Sequence, residues 1–126
     1  MKIGKKAVLL QHHFNFEIGV DMQSKVLIIQ NAMTQLESQI HRSSLSIDVK
    51  NASLLRIHAV DVMLVVDFCE RAVTPLTKGN LLYVICFVAG LDTQVIARIF
   101  NVEPATVYTV RYRLRARLGK INMSPF

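Results

Sequence analysis

The residues that start and end helices constrain the fold of this chain most strongly, and they cluster after Pro75. Gly90 and Asp92 lie between two apolar segments. Glycine tolerates the left-handed conformation that often ends a helix, and aspartate is a common helix N-cap. Pro104 suits a first helical position, where no amide hydrogen is needed. The pattern predicts three helices, which run from Thr77 to Ala89, from Asp92 to Phe100 and from Pro104 to Leu118, the last closed by Gly119.

The second and third of these predicted helices have complementary apolar residues. Ile96 and Ile99 need apolar partners, and Ala97 is small where the helices would cross. The longer helix supplies a stripe made of Val107, Val110, Leu114 and Leu118. A short helix, a tight turn and a longer basic helix form a helix-turn-helix, with Val102 filling the angle at the turn.

Burial of that stripe would turn a different set of residues outwards. The predicted outer face, flanked by arginines, consists of Ala105, Tyr108, Thr109, Tyr112 and Ala116. Side chains near the start of such a helix can reach base edges in a DNA major groove, while arginines further along neutralise phosphates. A solvated basic helix is the alternative interpretation of the same residues.

The region before Pro75 is also predicted to be helical. From Val20 to His41, apolar residues recur every three or four positions, at Met22, Val26, Ile29, Met33, Leu36 and Ile40. Ser43 to Asn51 resembles a connection, and a second helix is expected from Ala52 to Ala72, ended by Thr74-Pro75. Residues 1–16 fit either a short strand or a frayed helix. We therefore expect an all-α chain in which helices of residues 1–74 pack on a helix-turn-helix domain formed by residues 75–126.

The positive charge is concentrated at one end of the chain. Residues 98–120 contain six Lys or Arg and one acid, whereas the first 97 residues contain nine Lys or Arg and eight acids. Such asymmetry indicates a polyanionic partner, nucleic acid before membrane.

The apolar content predicts where the chain resides and whether it associates. The longest apolar run, Leu81 to Leu91, is too short for a membrane span, and no cleavage site follows the basic amino terminus. We therefore expect a cytoplasmic protein with Cys69 and Cys86 reduced in its core. The mean hydropathy of +0.34 is high for a soluble chain. A second copy could cover the surplus apolar surface, which makes the Met22–Ile40 stripe either a dimerisation surface or one wall of the core.

The sequence contains no arrangement of residues typical of an enzyme. His12 and His13 would point apart on any regular element, and His41 and His58 are isolated. Neither metal-ligand spacing, a nucleophile–base–acid set nor a glycine-rich loop is recognisable. We expect no catalytic activity, no metal and no cofactor.

The segment from Leu76 to Lys120 resembles the LuxR-type helix-turn-helix domain, whereas the first 70 residues show no such resemblance. The residues that match the family pattern are Leu76-Thr77, Ala89-Gly90, Ile96-Ala97, Val102, Thr106-Val107, Arg113, Leu114, Arg117 and Leu118-Gly119. The resemblance implies a sequence-specific transcriptional regulator that binds double-stranded DNA as a homodimer, with RNA polymerase as a further partner.

The resemblance also implies which residues contact DNA. Three residues are candidates for reading bases: Tyr108, Thr109 and Tyr112. Seven are candidates for contacting phosphates: Thr93, Gln94, Thr106, Arg111, Arg113, Arg117 and Lys120.

The chain departs from the family pattern at three places. Gln94-Val95 stands where the family has Lys-Glu, and Glu103 stands where it has an N-capping serine. The first helix of the domain is more apolar than usual, so we expect it to pack on two sides. The loss of Lys-Glu and the surplus of apolar surface favour an alternative function, in which the chain keeps the fold but binds a protein partner instead of DNA, as an anti-activator does.

Overall fold

The computed structural model describes residues 22–72 and 76–117, which form six α-helices and no strand. The helices are α1 (Met22–Arg42), α2 (Ile47–His58), α3 (Val62–Arg71), α4 (Lys78–Val88), α5 (Thr93–Phe100) and α6 (Pro104–Arg117). The expectation of an all-helical chain is confirmed for these residues. Residues 1–16, the predicted break at Thr74-Pro75 and the predicted helix end at Gly119 lie outside the described part.

Helix α1 is the central element of the N-terminal region. Ile29, Leu36 and Ile40 are completely buried on one face, and the helix contacts α2, α3, α4 and α5. Most of the predicted stripe therefore lies in the chain's own core, and only Met22 at its start is well exposed. The stripe by itself no longer requires a second copy of the chain.

An ion pair and a histidine–carboxylate contact attach α1 to its neighbours. Lys25, largely buried, pairs with Glu70 of α3, and Glu37 lies 2.5 Å from the imidazole of His58 at the end of α2. Both pairs join residues that are distant in sequence, so they help to align α2 and α3 along α1.

The prediction of one helix from Ala52 to Ala72 is wrong, as is that of a connection extending to Asn51. The chain forms two helices here, because the Asp61 carboxylate accepts hydrogen bonds from the backbone amides of Met63 and Leu64 at 3.0 and 3.4 Å and starts α3. The Ser46 hydroxyl starts α2 in the same way, accepting from the Val49 amide at 3.3 Å. Apolar periodicity across the break concealed the Asp61 N-cap.

Helix α4 packs on two sides, as the sequence predicted. It contacts α1 and α3 on one side and α6 on the other, and six of its residues are buried. Thr77 caps its start by accepting from the Asn80 amide at 3.1 Å. Its end is a Schellman motif: Gly90 adopts a φ of 74°, and the Leu91 amide donates to the Cys86 carbonyl at 3.2 Å.

The core is continuous across the six helices. Buried residues of all six helices, including Ile57 of α2, belong to one apolar cluster. Contacts of α1 with both α4 and α5 hold the two predicted regions together. Because of these contacts, α5 and α6 have a firm support on one side.

Candidate nucleic-acid interface

A tight turn fixes α5 against α6. Asn101 adopts the left-handed conformation, with φ 55° and ψ 51°, a conformation that asparagine tolerates better than most residues. The Val102 amide donates to the Ala97 carbonyl at 2.9 Å, and the Asn101 amide donates to the Arg98 carbonyl at 3.3 Å. Val102 is partly buried against the core, as predicted. Asp92 precedes α5 at the N-cap position, although its side chain makes no capping hydrogen bond.

The apolar side of α6 is narrow. Val107 and Leu114 are buried, with exposures of 0% and 1%, and Val110 packs against the core while remaining partly exposed. On α5, Ile96, Ala97 and Ile99 are buried. The predicted orientation of α6 is confirmed for these residues, whereas Leu118 lies outside the described part.

The opposite side of α6 forms an open surface, which we call the α6 outer face. It consists of the exposed residues Ala105, Thr106, Tyr108, Thr109, Tyr112, Arg113, Arg115 and Ala116. Tyr108 is 58% exposed and Tyr112 is 72% exposed, which is unusual for large aromatic side chains. No acidic residue occurs in α6.

The three base-reading candidates all lie on the α6 outer face. The Thr109 hydroxyl donates to the Ala105 carbonyl at 3.1 Å, so its proton is engaged within the helix. In this rotamer Thr109 can offer a ligand only lone pairs and its methyl group. The two tyrosines retain both donor and acceptor capacity.

The phosphate candidates differ in how accessible they are. Gln94, Thr106 and Arg113 are exposed. Thr93 is 9% exposed, which leaves little of its side chain for a ligand. Lys120 lies outside the described residues.

Arg111 and Arg117 are half-buried. The Arg111 guanidinium carbon lies 4.7 Å from the centre of the Phe87 ring, a cation–π arrangement that attaches α6 to α4. Two guanidinium nitrogens, Nε of Arg111 and Nη1 of Arg117, are buried without a hydrogen-bond partner among the described residues. Arg111 thus has a structural contact in addition to any role with DNA.

One groove brings two of the predicted phosphate contacts together. Arg113 and Arg117, four residues apart on α6, line this groove with Tyr112 and with Asn80 of α4. The groove that holds the two arginines is therefore formed where α6 meets the start of α4. Elsewhere, α4 and α5 are joined by the stacked rings of Tyr83 and Phe100, whose centres are 4.1 Å apart.

Two exposed arginines were missed as candidate site residues. Arg115 lies on the α6 outer face, and Arg98 lies four residues after Gln94 on the exposed side of α5. Helical spacing from Gln94 could have identified Arg98, since residues four apart share a face.

Both cysteines are free and buried, so they belong to the core and not to a reactive site. Burial raises the pKa of Cys69 to about 12, with a smaller contribution from Glu70, and burial also raises the pKa of Cys86. The pKa of Tyr83 is also raised, mainly by burial and to a smaller extent by the neighbouring Cys86. Within residues 22–72 and 76–117, no three His, Cys, Asp or Glu residues cluster as metal ligands would. No helix in those ranges has the length and apolar character needed to cross a membrane.

Comparisons with models of known protein families, with characterised proteins and with solved structures found no match. Function must therefore be inferred from the side chains and their arrangement.

Proposed function

We propose that this chain binds double-stranded DNA by placing α6 in the major groove and thereby regulates transcription in the LuxR-type manner. The α6 outer face carries this proposal, because it is free of acids and combines two exposed tyrosines with threonines and arginines. Only two residues of the fourteen in α6 are fully buried.

The shape and chemistry of the face suit a duplex. The major groove of B-DNA admits one α-helix, and its base edges present both donors and acceptors. Tyr108, Thr109 and Tyr112 occupy the middle of the helix, while Arg113 and Arg115 follow them. This order lets polar side chains meet bases while arginines meet the flanking phosphates.

Charge distribution supports the same partner. The excess of basic residues between Arg98 and Lys120 contrasts with the nearly balanced remainder of the chain. A concentrated positive surface attracts a polyanion and speeds its association. Operation as a homodimer on two half-sites, in the cytoplasm and with RNA polymerase as a further partner, belongs to the same proposal.

A salt titration of DNA binding tests the proposal directly. We expect Arg113→Gln to weaken binding to a selected site and to random duplex about equally, because a phosphate contact carries no sequence information. It should also reduce the slope of log affinity against log salt by about 0.9. The matched control is Arg71→Gln, since Arg71 is a surface arginine of α3 that pairs with Asp67.

Tyr108→Ala should behave differently from Arg113→Gln. It should cost about 1–3 kcal/mol on the selected site and little on random duplex, because it removes a base contact. Selection of bound duplexes from a random pool supplies the site.

An interaction module without DNA binding is the second candidate. Large apolar side chains are exposed away from α6, including Leu27 of α1 and Leu55 of α2, at 55% and 71%. Absence of any salt-dependent binding to duplex at low ionic strength would favour this candidate and reject the first.

A further inference from the structure

A second basic feature lies in a cleft between the ends of α1 and α5. The cleft has a volume of about 390 Å³ and is away from the three base-reading candidates. Arg42 ends α1 and Arg98 is in the last turn of α5, and both line the cleft. The polar residues beside them are neutral, namely Gln39, Ser43, Ser44 and Asn101, and no acidic residue lines the cleft.

Neither arginine has a carboxylate partner among the described residues. The carboxylate contacts found there involve Lys25, His58 and Arg71. Arg42 donates from Nη1 to the Ser38 hydroxyl at 3.0 Å, which leaves most of its five donors unused. Two guanidinium groups on separate helices thus share one cleft without a counter-charge from the described part of the chain.

The two arginines are not needed to cap the C-terminal ends of α1 and α5. Four carbonyls at these ends already accept hydrogen bonds from other groups: Ile40 from Ser43, His41 from Lys50, Ala97 from Val102 and Arg98 from Asn101. Each helix C-terminus contributes roughly half a negative charge, so two arginines leave the cleft with a net charge of about +1.

We propose that this cleft binds a phosphate group, which both guanidiniums hold with Ser44 and Asn101 as neutral donors. Arginine suits this role because its planar set of donors matches phosphate oxygens. The phosphate has two conceivable sources, a DNA backbone or a free phosphorylated solute. The first source rests on the proposed function, whereas the second does not.

Binding of inorganic pyrophosphate tests the second source. We expect calorimetry to detect binding, and we expect the amide resonances of Ser43, Ser44 and Asn101 to shift on titration. Arg42→Gln with Arg98→Gln should weaken this binding at least about tenfold, since charge-assisted hydrogen bonds are lost. Both side chains are exposed, so the double variant should keep the fold, and its amide spectrum verifies this. Arg71→Gln is the control and should bind as the original chain does.

Binding of random duplex DNA tests the first source. If one backbone phosphate occupies the cleft, the double variant should lower the salt slope by about 0.9. A decrease of about 1.8 would indicate two independent surface contacts and would overturn a shared site.

The outcomes separate this proposal from the function proposed above. Pyrophosphate binding that the double variant abolishes supports the cleft even if the chain binds no DNA. A slope decrease of about 0.9 without pyrophosphate binding supports a DNA phosphate as the occupant. If the double variant changes neither measurement, or if pyrophosphate shifts only the amides of α6, the cleft is not a phosphate site. Loss of DNA binding in Arg113→Gln alone reports on α6 and leaves the cleft to be decided by pyrophosphate.

Discussion

Helices α4 and α6 contact each other, but they bury very different shares of their side chains. Six of the eleven residues of α4 are buried, whereas two of the fourteen residues of α6 are. Helix α4 has neighbours on both sides, whereas the main contacts of α6 in the described part of the chain are with α4 and α5. The difference shows that one helix of a contacting pair can serve the core while the other presents a surface.

The sequence of each helix explains this division. The apolar run in α4 is stable only when buried, because its exposure to water would cost about 25 cal/mol per Å² of apolar surface. Helix α6 keeps two fully buried anchors, Val107 and Leu114, and devotes the rest of its length mainly to polar and basic residues. The buried helix α4 thus supports the open polar face of α6 from behind.

The largest expected effect comes from a matched pair of aromatic substitutions. Phe87→Ala in α4 should lower the free energy of unfolding by about 3–5 kcal/mol, because it leaves a cavity beneath Arg111. Tyr112→Ala in α6 should change it by less than about 0.5 kcal/mol, because the ring is exposed. Urea unfolding of both variants measures the difference. Equal losses would refute the contrast between the two helices.

A second pair tests the rotation of α6 itself. Leu114→Ala should destabilise the chain by about 2–5 kcal/mol, whereas Tyr108→Ala should leave stability nearly unchanged. Thermal melting under identical conditions compares them. Similar decreases in melting temperature would mean that α6 is rotated differently from the orientation described above.

The buried cysteines predict a smaller, pH-dependent effect. Burial raises the pKa of Cys69 to about 12 and raises that of Cys86 above its ordinary value. A raised pKa means that the folded chain holds its proton where the unfolded chain releases it. This contribution to stability is therefore complete below about pH 8.5 and is lost as pH rises towards the folded pKa.

Unfolding in urea at about pH 7 and at about pH 9.5 measures that loss. The loss should be smaller in Cys69→Ala and Cys86→Ala than in the original chain, whatever their stability at neutral pH. An unchanged pH dependence in both variants would contradict the assignment to the thiols.

The smallest expected effect concerns whether the exposed start of α1 is a dimerisation surface. Exposed Leu27 lies beside Met22 and Val26 on a shallow apolar surface. If two copies associate there, Leu27→Glu should weaken dimerisation about tenfold or more, because a charge would be desolvated in the interface. Leu55→Glu, on α2, is the control. Sedimentation that finds only monomer at tens of micromolar would remove the dimer from the proposal.

Much of the C-terminal half was predictable because its helix boundaries are local. Gly90 marks the end of α4 and Pro104 the start of α6 through their own backbone preferences. The burial of Ile96 and Leu114 followed from the helical spacing of apolar residues. The N-terminal half was less predictable. Asp61 caps the start of α3 within an apolar stretch whose helical periodicity looks continuous. The periodicity predicted one helix, whereas the cap divides the stretch into two.

By itself, the sequence determined the helical class, the three segments after Pro75 and the polar composition of the α6 outer face. These depend on periodicity and on residues with special backbone preferences, which act over a few positions. Only the tertiary structure decided that the α1 stripe is covered by the chain's own helices, that Arg111 lies over Phe87, and that Arg42 and Arg98 share a cleft. Each of these depends on which distant segments meet, and helix packing sets that, not any local preference.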